Sequence, residues 1–310
     1  MKKLILPTIS SIFFIYSCSN ASGAENTTSV NDTLAAANTE LKEQPQTNST
    51  ETDITEIFSG FPAMETLAKP NEYILVPGFK MMENFVSGKT SNLIFYHAKM
   101  ATPGEKNSQV AFTFDGEQTV PNYMIIPIKA GEKAKKGDIV LTWWQSGSGM
   151  KRAIVTNDSD PSAPEVHYLD IDWENPAKKD GISIGQLKEK IKENTFVKIT
   201  NEWAAGTTIA SRDGVSIKKF TVVNISNNKV LAIGFAGGMK ILNQSDCTPL
   251  KVNQSVKVGD KVQAPWVGTF HTGIVKEVKS EYGRAVIEFD HQPGQLHVIP
   301  FGDITTGLVL

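Results

Sequence analysis

Asp290, His291 and His297 are the side chains whose types and spacing come nearest to chemistry. A carboxylate beside two imidazoles six residues apart, flanking Pro293-Gly294, offers ligands for a divalent metal that would activate water. Histidines solvated in a loop are the simpler reading of the same residues. Asp170 and Asp172 would share one face of a strand, as a carboxylate pair for acid chemistry or calcium requires, or as plain surface charge would also produce. Ser87-Gly88-Lys89-Thr90 ends like a phosphate-binding loop but lacks the glycine five places before Gly88. Gly147-Ser148-Gly149 lacks the flanking pattern of a nucleophile elbow. Cys247 is either a small core or loop residue or an exposed thiol able to cross-link two copies. No catalytic residue and no cofactor emerge, so an enzyme is the minor alternative.

Cys18 carries a different chemistry. Lys2 and Lys3 precede an apolar run from Leu4 to Tyr16, too short for the roughly twenty residues that span a bilayer, so 1–17 reads as a signal peptide. Ile15-Tyr16-Ser17-Cys18 resembles the bacterial lipobox, in its relaxed, spirochaete-like form because Tyr16 stands where the tight form has a small or aliphatic residue. The resemblance implies a diacylglyceryl thioether and an N-acyl group (palmitate or a similar chain) on Cys18. More than one acyl chain makes a lasting anchor at about 0.8 kcal/mol per buried methylene. Ser19 occupies the place of the aspartate that retains many lipoproteins in the inner membrane, which by analogy implies the outer membrane, with its face open. The alternative is cleavage near Ala21 to Ala24 and a soluble secreted protein.

Residues 18–57 read as a lipidated, disordered tether. They are rich in Asn, Thr, Ser, Ala and Glu up to Ile57, and seven acids face one base, Lys42. Such a segment buries too little apolar surface to offset its ordering entropy. A chain of that length reaches roughly 35 Å, holding the β-rich remainder of the protein away from the headgroups. The formal net charge of the whole chain is only −2, and no basic stripe argues for nucleic acid. Apart from Cys18, Cys247 is the only cysteine, so stability must come from a core and not from a disulfide.

Within the remaining residues a pattern returns. Lys136-Gly137-Asp138-Ile139-Val140 with Trp144 is echoed by Val258-Gly259-Asp260-Lys261-Val262 with Trp266, and Ile154-Val155 by Ile274-Val275. The segment ending in Asp172 matches the one ending in Asp290, and Tyr73 falls opposite Phe196, Val110 near Val230, and Met64 and Ala68 opposite Leu187 and Ile191. We read two copies of a β-rich unit of about 120 residues, 58–182 and 183–310.

Short β-branched and aromatic runs such as 92–100, 110–115, 138–144, 217–225, 271–278 and 284–290 predict strands separated by Gly, Pro and Asn turns. Ser183 and Gln186 form a capping box, with Leu187 and Ile191 as its apolar stripe, which predicts a helix leading into the second copy. A weaker helix over Ala63 to Lys69 would lead into the first. The segment 258–305, with VGDKVQAPW, GIVKEV, RAVIEFD and FGDI, resembles a Tudor- or SH3-like small barrel, and GDIVLTWW, MKRAIVTN and HYLDID do so more loosely, with an insertion at 175–185.

That resemblance implies small barrels, which often bind through an aromatic cage, for which Trp266, Phe270, Tyr282 and Phe289 are the available rings. Barrel core is the plainer role for most of them. Trp143 and Trp144, adjacent on a strand, must face opposite sides, one into the core and the other exposed or at a seam, where it could anchor a partner or sugar ring. The sequence therefore points to a mostly β, lipid-anchored outer-membrane protein that binds a protein or glycan without catalysis. The alternatives are a structural subunit of an envelope complex, or a metal-assisted hydrolase using Asp290, His291 and His297.

Overall fold

The computed structural model describes residues 53–171 and 188–308. Cys18, Asp172, the insertion at 175–185 and the capping-box residues Ser183, Gln186 and Leu187 lie outside them. The described residues are mostly β, with one α-helix.

The first sheet contains β1 (Tyr73–Pro77), β2 (Phe95–Thr102), β3 (Asn107–Phe112), β4 (Gly116–Pro121) and β5 (Ile126–Pro127), with α1 (Phe79–Val86) between its first two strands. Its order is β4-β3-β2-β1-β5, so the last strand returns to pair with the first. The second, with β6 (Ile139–Trp143), β7 (Met150–Asn157), β8 (Glu165–Tyr168), β9 (Lys188–Lys190) and β10 (Val197–Lys198), has the matching order β10-β6-β7-β8-β9.

A third meander, β11 (Thr208–Asp213), β12 (Ser216–Ser226), β13 (Lys229–Ile233), β14 (Met239–Asn243) and β15 (Cys247–Pro249), again returns its last strand to its first. The fourth is β16 (Lys261–Trp266), β17 (Thr269–Lys279), β18 (Arg284–Phe289) and β19 (Leu296–Pro300), closed by a bridge from Thr305 to Gln263. In the first, third and fourth meanders a 3₁₀ turn precedes the returning segment, at Asn122–Met124, Gln244–Asp246 and Phe301–Asp303.

The Gly-Asp turns that open the second and fourth meanders share their geometry. The Gly137 N–H donates to Val155 O (2.9 Å) and the Gly259 N–H to Val275 O (2.9 Å). The Asp side chains accept from Lys135 N (2.9 Å) and Lys257 N (2.8 Å). Both glycines hold a left-handed conformation, φ 90° and 92°, which strains any residue with a Cβ. The ladders also correct the sequence register. Gly273 pairs with Phe289 as Ala153 pairs with Tyr168, so Asp290 matches Leu169 and not Asp172.

Several expectations fail, most of them because tertiary pairing outweighs local preference. Lys188–Lys190 is a strand on β8, so the expected helix does not extend over these residues, and Ile191 enters the second meander's core. Because β9 and β10 complete that sheet, a boundary at 182/183 would divide it. Phe196 consequently precedes the last strand of the second meander, whereas Tyr73 opens the first strand of the first. Residues 63–69 are not helical; Pro70 disfavours helical geometry at Lys69, and the helix lies instead at α1. The tether also ends earlier than expected, since Ile54 and Ile57 are buried in the core.

One core crosses the meanders. Ile139, Leu141 and Trp143 of β6 join residues of the first sheet and Val223, Leu231 and Met239 of the third meander, while Val140 points into the second meander's own core. With both faces covered, β6 is buried along its whole length and does not alternate. The described residues form one compact unit.

A buried ionic cluster fastens it. Arg152 of β7 reaches Asp170 beyond β8 through Nε (3.0 Å) and Asp303 of the last 3₁₀ turn through Nη1 (3.0 Å) and Nη2 (3.1 Å). Thr208 of β11 also donates to Asp303, and Lys219 of β12 does so at 2.7 Å. The surface reading of Asp170 is therefore corrected: it is half-buried and paired. Burial alone would raise the Asp303 carboxyl, but Arg152 and Lys219 outweigh it and hold the group far below the ordinary carboxylate range. A carboxyl lowered by folding stabilises above its unfolded pKa, about 3.9, and that contribution drains away as pH falls toward the folded value. Asp303→Asn should cost about 3–5 kcal/mol at neutral pH, because it leaves buried cations underpaired, and should flatten the loss of stability below pH about 4. Urea unfolding across pH checks both.

Candidate functional site

The third and fourth meanders enclose a cavity of about 720 Å³. Its lining combines the Lys219–Asp303 pair and Arg284 with Trp266, Phe235, the β16–β17 turn and the whole of β19. β12 brings Lys219 there, and the 3₁₀ turn after β19 brings Asp303. Arg284 opens β18 and is itself fastened, Nη2 donating to Tyr168 O (2.8 Å) and Leu169 O (3.1 Å). These polar groups are held by other parts of the fold, which makes them a rigid lining. The rim is apolar: Phe235, Val267 and Leu296 are 64%, 56% and 40% exposed.

The β16–β17 turn is strained where it meets the cavity. Trp266 pairs with Thr269 across only Val267 and Gly268, and both turn residues have positive φ, 47° and 73°. That is the geometry of a type I′ hairpin, which favours Asn-Gly and penalises a β-branched first residue. Keeping valine there gives the rim an apolar side chain in place of a polar one.

Next to the cavity the fourth meander gathers rings. His271 and His291 lie 4.3 Å apart between centroids, Trp266 meets His291 edge-on at 5.0 Å, and Phe289 lies 5.2 Å from His297. Burial, then the neighbouring His291, lowers the titration of both His271 and His297 below the ordinary histidine range; Lys218 adds to the effect at His271. The unfolded rings protonate first, near pH 6.5, so the stability these groups contribute is present above that pH and declines as pH falls through their lowered folded values.

Of the candidate ligand-binding and metal residues read from the sequence, Trp266 and His297 line the cavity and the rest do not; Gly294 between the histidines lines it too. Trp143 stacks on His97 (4.5 Å, 13°) and meets Tyr73 (5.2 Å), so it is the buried seam between first and second meanders, 6% exposed and closed to a ligand. Trp144 is half-buried against the second meander's core, and neither tryptophan is exposed. Phe270 is core between the third and fourth meanders, Phe289 is core of the fourth, and Tyr282 packs on His167 (5.1 Å). The four cage candidates therefore do not line one site: Trp266 and Phe289 pack in the fourth meander around His271 and His291, whereas Phe270 and Tyr282 are turned into other contacts.

Asp290 accepts from Thr272 Oγ1 (2.6 Å), and among the described residues no group of three His, Cys, Asp or Glu side chains is arranged to hold a metal. Cys247 is half-buried, its thiol donating to Asn243 O (3.3 Å) and pushed up chiefly by burial.

Sequence reasoning missed Lys219, Arg284, Asp303 and Phe235. The faint signal for Arg284 was a charged residue opening a strand whose next three residues are apolar; nothing local marked the others. No family profile and no curated protein matches this sequence.

His291→Gln should raise the NMR titration midpoints of His271 and His297 while leaving both below the ordinary value, since burial, the larger cause, persists. Val267→Asn should raise stability by about 1 kcal/mol by relieving the turn, a gain readable in the urea midpoint.

Proposed function

We propose that this chain is a lipid-anchored binding protein of the bacterial outer membrane that holds a protein or glycan ligand in the cavity between its third and fourth meanders. One observation carries the reading: a cavity of about 720 Å³ that sets an aromatic wall and an apolar rim beside fixed polar groups. Concave sites of this size, with aromatic and apolar side chains beside placed polar groups, are where small ligands bind. Lys219, Arg152 and Asp303 hold one another in ion pairs, which suits orientation of a ligand better than proton transfer.

The Ile15–Cys18 motif supports acylation of Cys18, and the acidic stretch after it supports a spacer between bilayer and binding unit. The strand order supports SH3-like barrels in each meander, and the paired Gly-Asp turns support an origin by duplication of a two-barrel unit.

Two substitutions test the two halves of this reading. Cys18→Ala should move the protein from the membrane to the soluble fraction, and mass spectrometry of the native N-terminus should find the acyl groups. Trp266→Ala should weaken binding of soluble peptidoglycan fragments or envelope-derived peptides roughly tenfold, with Trp144→Ala leaving it unchanged, as read by titration calorimetry. Full retention of affinity in Trp266→Ala would remove the cavity from the proposal.

A further inference from the structure

We infer that the cavity takes an extended polypeptide segment, which adds to the outer edge of β19 as an extra strand; this rests on the cavity being the binding site and names the ligand's class. The cavity is lined by every residue of β19 from Leu296 to Pro300. Successive residues of a strand face opposite sides of its sheet, so a space that touches them all lies along the strand's edge and not over one face. Among the described strands β19 pairs with β18 alone.

The register identifies which backbone groups face outward. The Phe301 N–H donates to Gly283 O (2.8 Å), one step beyond the Arg284–Pro300 pair. Hydrogen-bonded and non-hydrogen-bonded pairs alternate along an antiparallel ladder. Ile299 and His297 therefore bond to β18, while the N–H and C=O of Leu296 and Val298 point away from it, toward the cavity. Among the described residues neither of these two backbones bonds to any turn, loop or other strand.

Two donor–acceptor sets about 7 Å apart along one line match the backbone of another strand. Pro300, with no N–H, ends the ladder. The exposed apolar side chains of Phe235, Val267 and Leu296 stand around this edge, where they meet apolar side chains at alternate positions of the incoming segment. An exposed, apolar strand edge invites self-association unless something covers it, and on this side β19 carries no lysine or glutamate to guard it.

The test uses the full chain and capped decapeptides selected on it from a random library. Methylating the peptide's backbone nitrogens one at a time should weaken binding roughly tenfold at alternate positions and leave the intervening ones unchanged. Val298→Pro, which removes an outward N–H without breaking a bond to β18, should weaken the same peptides as much while circular dichroism and the melting temperature stay put. In the unaltered protein, bound peptide should slow amide exchange at Leu296 and Val298, a readout that does not depend on the variant folding. Tight peptides whose N-methyl scan shows no alternation, or whose affinity Val298→Pro leaves intact, would overturn the inference. If peptidoglycan fragments bind through Trp266 and no peptide is selected, the strand inference fails and the cavity reading stands; if neither binds, both fail.

Discussion

Arg152 is the residue on which the arrangement of this protein depends. A guanidinium taken out of water is costly unless it is paired and fully hydrogen-bonded, and its partners come from three different meanders: Asp170 after β8, Thr208 on β11 and Asp303 after β19. Lys219 of β12 closes on the same carboxylate, Asp303. A meander of four or five short strands has little core of its own and, without contacts to its neighbours, would be free to pivot about its linkers. A buried charge that is satisfied only when three segments coincide removes that freedom. The specificity argument for buried ion pairs fits this site, since apolar packing alone tolerates sliding and a multidentate ion cluster does not.

The cavity is a by-product of the same cluster. Lys219 and Asp303, joined to each other and to Arg152, form part of its lining, and Arg284, tied to the carbonyls of Tyr168 and Leu169, adds to it. Its walls are elements of two meanders whose spacing the cluster sets. Strain is tolerated at its rim, where Val267 occupies a turn position better suited to asparagine. The cavity and the element that orders the fold thus share residues, and a change in the ionic cluster alters both.

Much of the local structure was legible. Strands such as β2, β12, β17 and β18 announced themselves by β-branched and aromatic runs, and the Gly-Asp turns at 137–138 and 259–260 by residues that tolerate a left-handed backbone. The helix α1 escaped notice because its N-cap is Gly78, which offers no side-chain cap, while the capping box at Ser183 and Gln186 promised a helix where Lys188–Lys190 pairs as an edge strand of the second sheet. Trp143, the last residue of β6, and Trp144 just after it do face opposite ways, but both sides proved covered, one by the first sheet and the other by the second meander's core.

What the sequence determined by itself was whatever a few neighbouring residues dictate: a β-rich chain and its turns. What only the tertiary structure decided was which distant residues meet. Arg152 and Asp303 are 151 positions apart, and each alone looks like an ordinary surface charge on a strand or turn. Local periodicity reports which side of a strand faces inward, not which other meander that side will touch. The cavity, its lining and the free edge of β19 arise from that second choice, which the summed burial and ion pairing of the whole chain makes at once.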